Sequence, residues 1–285
     1  MHRSGTSVLT RTLALCGADL PKSSLSVAEI TRDTHWEPDR IVQVHDAELL
    51  EPEGRRWRDI GWIPRARLES GHMDALKRRL VSAFREEFGD SPLPVLKDPR
   101  ICRLLPLWLP IIRDLGAKPC AVLLVRSPLE VAASLHARDR MPPREALWLW
   151  LRHFLEAERD SRAIPRCLVS YEQVLNDWRS VVERVRNQLE LDLRPRSREA
   201  EEELARYVSP DARRHHISTK ETLNRADVPA FVRQAYQWAM QACHGTQPDS
   251  AALDKIFAAL AVRDRALMPF RSVYRGWRRY RQKLR

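Results

Sequence analysis

The chain has 285 residues, 44% of them hydrophobic and 31% charged, and only 9 glycines, which excludes a disordered or low-complexity chain. It has no run of about 18 uninterrupted apolar residues and no apolar signal-peptide core, since Arg3 and Arg11 bracket a short hydroxyl-rich run; neither a membrane span nor a leader is expected. The formal net charge of +11 points to an anionic partner: a phosphorylated cofactor, an acidic polymer or a membrane surface.

The chain opens MHRSGTSVLTRTLALCGADL. Residues 3–7, Arg-Ser-Gly-Thr-Ser, are basic, small and hydroxylated, and the apolar pattern over 6–16 predicts a helix ending at Gly17. A helix N-terminus offers unpaired N–H groups and partial positive charge, so a phosphate settles there. Gly5 lets the backbone approach closely, Ser4, Thr6 and Ser7 add hydroxyl donors, and Arg3 adds a fork of charge-assisted bonds.

Residues 21–66 read as irregular, with a short helix near Ile41–Leu50. Met73, Leu76, Leu80, Phe84 and Phe88 fall on one face of an amphipathic helix. The run LPVLKDPR reads as a buried strand delivering Lys97 and Asp98 at its C-terminal end, followed by a Trp- and Leu-rich helix over about 103–114. PCAVLLVRSP reads as a strand, Ala121–Val125, stopping at Arg126, with helices near 128–138 and 143–160. RCLVSYEQVL reads as a third strand entering a helix at Tyr171, and 177–264 reads as helical throughout.

Strands separated by helices imply an α/β fold built on a parallel sheet, with ligands bound outside the carboxyl ends of the strands. Lys97, Asp98, Arg126 and Tyr171 stand at those ends. The expected organisation is one domain over 1–264 and a tail over 265–285. The tail carries eight Lys or Arg and no acid, interleaved with Phe270, Tyr274, Trp277 and Tyr280. That pattern allows peripheral contact with anionic lipid. Five scattered cysteines without a CxxC pair, several in apolar segments that would bury them as reduced thiols, point to a cytoplasmic protein. The histidines show no zinc-like spacing, so no metal is expected. Trp148-Leu149-Trp150 reads as core packing, with an acceptor-lining role as the alternative.

RSGTS at 3–7, KDPR at 97–100, VRSPLEVAASL at 125–135 and VSYEQVL at 169–175 occur in that order. The set resembles the sulfotransferases that use 3′-phosphoadenosine-5′-phosphosulfate (PAPS), closest to bacterial members and the tyrosylprotein type, over most of residues 1–175. The resemblance implies a P-loop-type parallel sheet flanked by helices, with a helical C-terminal part. It implies that Arg3, Ser4, Gly5, Thr6 and Ser7 hold the 5′-phosphosulfate, that Arg126 and Ser134 hold the 3′-phosphate, and that Tyr171 lies beside the adenine or supports its strand end. Lys97 and Arg3 then supply positive charge at the leaving oxygens.

The base in the tyrosylprotein and heparan types is a glutamate downstream of the first helix, which makes Glu37 in THWEPD the choice; partial burial beside Trp36 would raise its pKa. Glu29, His45, Asp46 and Asp98 are the other candidates. Lys97-Asp98-Pro99 stands where cytosolic members carry Lys-Thr-His or Lys-Ser-His, and their RKGxxG segment has no counterpart; Arg213, Arg214, His215 and His216 in SPDARRHHIS are the substitutes considered. The strand such a fold places before Arg3 is missing from the sequence, and weakened cofactor binding is expected from its loss.

The reading is a sulfotransferase moving a sulfuryl group from PAPS to an acceptor hydroxyl, carbohydrate or other small to medium molecule, by in-line transfer to a carboxylate-assisted nucleophile. Nucleic acid is not an expected partner, and the acceptor and the oligomeric state stay open. The alternative is a non-catalytic or truncated relative that binds an anionic partner. A P-loop nucleotide kinase fares worst, because GxxxxGK[ST] is absent.

Overall fold

The structure, a computed structural model, describes residues 1–25, 34–208 and 216–262. Helix α1 (Thr6–Leu15) begins after Gly5 at φ +86° and is closed by Gly17 at φ +107°. Both positions lie in the left-handed region, which only a residue without Cβ enters at no steric cost. After a four-residue α2 (Lys22–Leu25), helix α3 (Asp39–Gln43) runs into a π-helical turn, Val44–Leu50. Helix α4 (Arg65–Leu68) is short, and α5 (Asp74–Phe88) buries Leu76, Leu80, Phe84 and Phe88 on the face that their spacing requires. Met73 precedes α5 in a 3₁₀ turn.

Helix α6 (Ile101–Asp114) contains Pro106 and Pro110. Each removes one rung of the i→i−4 ladder. The helix persists because Leu104, Leu107, Trp108 and Ile111 pack against α5 and the π-helical turn. Strand β1 (Ala121–Val125), helices α7 (Pro128–Asp139) and α8 (Pro143–Asp160), and strand β2 (Arg166–Ser170) follow where the sequence patterns put them.

The two strands pair in parallel, Ala121 opposite Arg166 through Val125 opposite Ser170, with α7 and α8 as the crossover. Short helices α9 (Tyr171–Asn176), α10 (Trp178–Leu189), α11 (Arg198–Tyr207), α12 (Thr219–Asn224) and α13 (Ala230–Cys243) complete the named elements, and residues 251–262 are helical. The architecture is α/β, mostly helical, around a two-stranded parallel sheet among the described residues.

Two expectations need correction. The LPVLKDPR segment is extended but is no strand of the sheet: it makes one parallel bridge, in which Asp19 N–H donates to Leu93 O (2.8 Å) and Val95 N–H donates to Asp19 O (2.9 Å). Pro92, Pro94 and Pro99 carry no N–H, so a ladder cannot propagate along it. The region beyond 177 is also not helical throughout: the chain leaves helix at 191–196, 225–229 and 244–250.

Three apolar clusters hold these elements. One joins α7, α8, α13 and the 251–262 helix; a second joins α1, β2, α9 and α10 with Leu204 of α11; the third joins α3, α5 and α6. Trp150 and Leu149 are buried in the first cluster, Trp150 stacked on Phe154 at 5.3 Å, while Trp148 packs at its margin. All five cysteines are free, and burial pushes Cys16 up to about 11 and Cys243 up to about 12. Among the described residues, no helix is long and apolar enough to cross a membrane. The 265–285 tail lies outside the described residues.

Candidate functional site

The chain turns sharply before α1. Arg3 sits at φ +62° and Gly5 at φ +86°, which folds residues 3–5 back over the C-terminal ends of β1 and β2. Arg126 follows β1 and Tyr171 follows β2, and the Arg126 guanidinium lies 4.4 Å from the Tyr171 ring centroid. A Cβ on Gly5 would overlap that ring, so the glycine is required for the loop to close on it. Tyr171 is buried, with Gly5 on one side and the Arg126 guanidinium over its ring.

Nε of Arg3 donates to Oγ of Ser134 (2.8 Å), and Nη1 of Arg126 donates to the carbonyl of Arg3 (3.0 Å). Arg126 and Ser134, expected to converge on one phosphate, are therefore joined through Arg3. The carboxylate of Glu130, fully buried, accepts from Nε of Arg126 (2.9 Å) and from the Ile217 N–H (3.0 Å). Glu130 was not singled out from the sequence, although it stands four residues after Arg126 on the following helix, a spacing that pairs side chains.

On the other side of α1, Lys97 reaches into the first helical turn. Its Nζ donates to Oε1 of Glu37 (2.6 Å), to the carbonyl of His35 (2.7 Å) and weakly to Oγ of Ser7 (3.4 Å). Lys97 is 9% exposed, and burial pulls its pKa below the ordinary lysine value although Glu37 opposes the fall. Burial, with the Lys97 charge beside it, likewise lowers His35. Trp36, between them in sequence, takes φ +54° with its side chain buried and the Arg11 guanidinium 5.0 Å from its ring.

Glu37 also faces Arg100, whose Nη1 lies 3.7 Å from Oε2. Arg100 forks onto Asp46, Nε to Oδ1 at 2.7 Å and Nη2 to Oδ2 at 2.5 Å, and donates from Nη1 to Oδ1 of Asp98 at 2.8 Å. Asp98 also accepts the Arg100 N–H (2.9 Å) and pairs with Nδ1 of His45 (2.6 Å), and the Trp108 indole donates to Nε2 of His45 (2.9 Å). An indole nitrogen only donates, so Nε2 carries the lone pair and the His45 proton lies on Nδ1, facing Asp98. Burial alone would raise the Asp98 carboxyl, but the His45 hydrogen bond and the Arg100 charge and hydrogen bonds outweigh it and hold it well below the usual range.

These contacts sort the alternative bases. The His45 and Asp98 side chains are both 0% exposed, and both nitrogens of His45 are occupied, so neither reaches an acceptor. Asp46 is committed to the Arg100 fork. Glu37 is gripped at the mouth of the same network. Glu29, Arg213, Arg214 and His215 lie outside the described residues, and His216 is exposed.

Ser4 is buried and Thr6 half-buried at the start of α1. The Val8 and Leu9 N–H groups donate to Gly5 O (3.0 and 3.3 Å), and the first N–H groups of a helix have no acceptor within it. Backbone donors, the Ser7 and Ser134 hydroxyls, and Arg3, Arg126 and Lys97 gather hydrogen-bond donors and positive charge around the start of α1. Among the described residues no group of three or more His, Cys, Asp or Glu could hold a metal ion. No family model, no curated protein and no solved structure matches the chain.

Proposed function

We propose that the chain is a PAPS-dependent sulfotransferase acting on an acceptor hydroxyl, on a P-loop-type sheet whose phosphate loop is residues 3–7. The observation that carries this reading is the meeting of Arg3, Gly5, Arg126, Ser134 and Tyr171 at the start of α1, with Lys97 and Glu37 beside Ser7. PAPS supplies the sulfuryl group. The α1 N-terminus and Arg3 bind anionic oxygens, and Lys97 places positive charge where negative charge grows as the phosphate leaves. Glu37 accepts the proton of the attacking hydroxyl. A hydroxyl of a carbohydrate or another small to medium molecule is the proposed acceptor class, a cytoplasmic setting is proposed with it, and the basic 265–285 tail is proposed to make peripheral membrane contact.

The test is calorimetric titration with 3′-phosphoadenosine-5′-phosphate, on the chain and on Arg126→Ala. Binding by the chain and its loss in the variant supports the reading. Absence of binding to the folded chain overturns it. Glu130, which already neutralises Arg126, favours one second reading, a non-catalytic binder of an anionic partner. Nucleotide binding without sulfuryl transfer to any hydroxyl, water included, would select it.

A further inference from the structure

Arg100, the last residue of KDPR, faces three carboxylates, those of Asp46, Asp98 and Glu37. It is 8% exposed, and a guanidinium so far from water is tolerated only when its donors are met. Asp46 takes Nε and Nη2, Asp98 takes one Nη1 proton, and the second Nη1 proton has Glu37 Oε2 as its nearest carboxylate oxygen, at 3.7 Å. Lys97 holds the other oxygen of the same carboxylate, Oε1, at 2.6 Å. Glu37 is thus shared between two cations, one in hydrogen-bond contact and one less than about 1 Å beyond it.

The asymmetry matters for the proposed chemistry. An anion arriving at the start of α1 competes with Glu37 for Lys97, because Lys97 also reaches Ser7 of the first turn. A Glu37 released by Lys97 alone would swing free, whereas one held by Arg100 stays in the site. Arg100 cannot follow it outward: Asp98, His45 and Trp108 pin the guanidinium from within the core, each bond fixed in direction by the indole donor at its far end.

We propose that Arg100 is a positioning residue for Glu37, holding its Oε2 side when Lys97 turns to the transferred group, and that the buried Trp108–His45–Asp98 chain serves to fix Arg100 for this task. The proposal rests on the reading of Glu37 as the base. Its physical core, a coupling of Arg100 to Glu37 felt at Lys97, does not depend on that reading.

The experiment is therefore a double-mutant cycle read at Lys97. The full chain, Arg100→Gln, Glu37→Gln and the double variant are labelled with acetic anhydride across pH, and modification of Lys97 is followed by mass spectrometry. The charged groups facing Lys97 are Glu37, Asp98 and Arg100, with His35 beside them and the Ser7 hydroxyl on α1. Removing Arg100 deletes a charge that itself lowers Lys97 and also leaves Glu37 wholly to Lys97, so the labelling midpoint moves to higher pH in Arg100→Gln, and only the direct part of that shift survives when Glu37 is already glutamine. Equal shifts in the two backgrounds overturn the proposal, as does faster Lys97 labelling in Arg100→Gln, the sign of a locally opened fold. Arg100→Lys, which keeps a cation, stays nearer the parent chain than Arg100→Gln.

A second arm measures PAPS turnover. Arg100→Gln lowers kcat by roughly a hundredfold, the scale of a catalytic group misplaced by about 1 Å, with KM for PAPS little changed. An unchanged kcat overturns the positioning role. Should the parent chain neither bind 3′-phosphoadenosine-5′-phosphate nor turn over PAPS, the sulfotransferase reading fails while the labelling cycle still decides the Arg100–Glu37 coupling.

Discussion

At Gly5 a single hydrogen atom decides how closely the loop can approach Tyr171. Alanine there meets the ring and must also adopt a left-handed φ, a conformation that costs a non-glycine residue roughly 1–3 kcal/mol. Gly5→Ala is expected to lower the midpoint of urea unfolding and to weaken 3′-phosphoadenosine-5′-phosphate binding together; loss of neither would mean that the loop adjusts without cost. Asp98 is the other residue on which much rests. Asp98→Ala strands the Nδ1 proton of His45 in the core and takes one counterion from Arg100, a change of the kind that costs about 3–5 kcal/mol. Because the folded carboxyl is held below its ordinary value near 3.8, its contribution is complete above that pH and drains away as pH falls below it. The stability gap between the parent chain and Asp98→Ala, measured by denaturant titration, should therefore be constant near neutrality and narrow in acid.

At the scale of the element, α9 shows how a local signal becomes structure. Ser170 closes β2 and caps α9: its Oγ accepts from the Gln173 N–H (3.1 Å), and the Gln173 side chain accepts from the Ser170 N–H (2.9 Å). This capping box stands in the sequence as Ser-x-x-Gln, and the box fixes where Tyr171 turns toward the loop. Ser170→Ala should cost about 1 kcal/mol of unfolding free energy. Gln173 does more, since its amide also donates to the Cys243 carbonyl (3.0 Å) at the end of α13. The LPVLKDPR segment teaches the converse. Its apolar run suggested a strand, and its prolines leave it one bridge, yet the extended backbone still delivers Lys97 and Asp98 to the site.

At the scale of the molecule, the site draws on stretches far apart in the chain: Arg3 meets Ser134 across 131 residues, Arg126 meets Arg3 across 123, and Lys97 meets Glu37 across 60. Such a site couples ligand to fold, because a ligand that binds only the folded state stabilises it. At a ligand concentration of about 100 Kd the gain is roughly 2.7 kcal/mol, which for a chain of this size raises Tm by about 5–10 °C. 3′-Phosphoadenosine-5′-phosphate should produce that rise in the parent chain and not in Arg126→Ala. Equal rises in both would place the ligand elsewhere.

Periodicity, caps and strand ends are local properties, and the sequence alone determined them. β1 and its stop before Arg126, the crossover helices, the α1 start at the RSGTS loop and the entry to α9 at Tyr171 all follow from neighbours within about four residues. The tertiary structure alone decided which charges meet. Arg3 on Ser134, the Ile217 N–H on Glu130, and the Trp108–His45–Asp98–Arg100 chain arise where segments far apart in the chain pack together, and burial makes each of those pairings obligatory. A guanidinium at the surface would find water instead; inside, it must find a carboxylate, and only the packing of α3, the π-helical turn and α6 determines which.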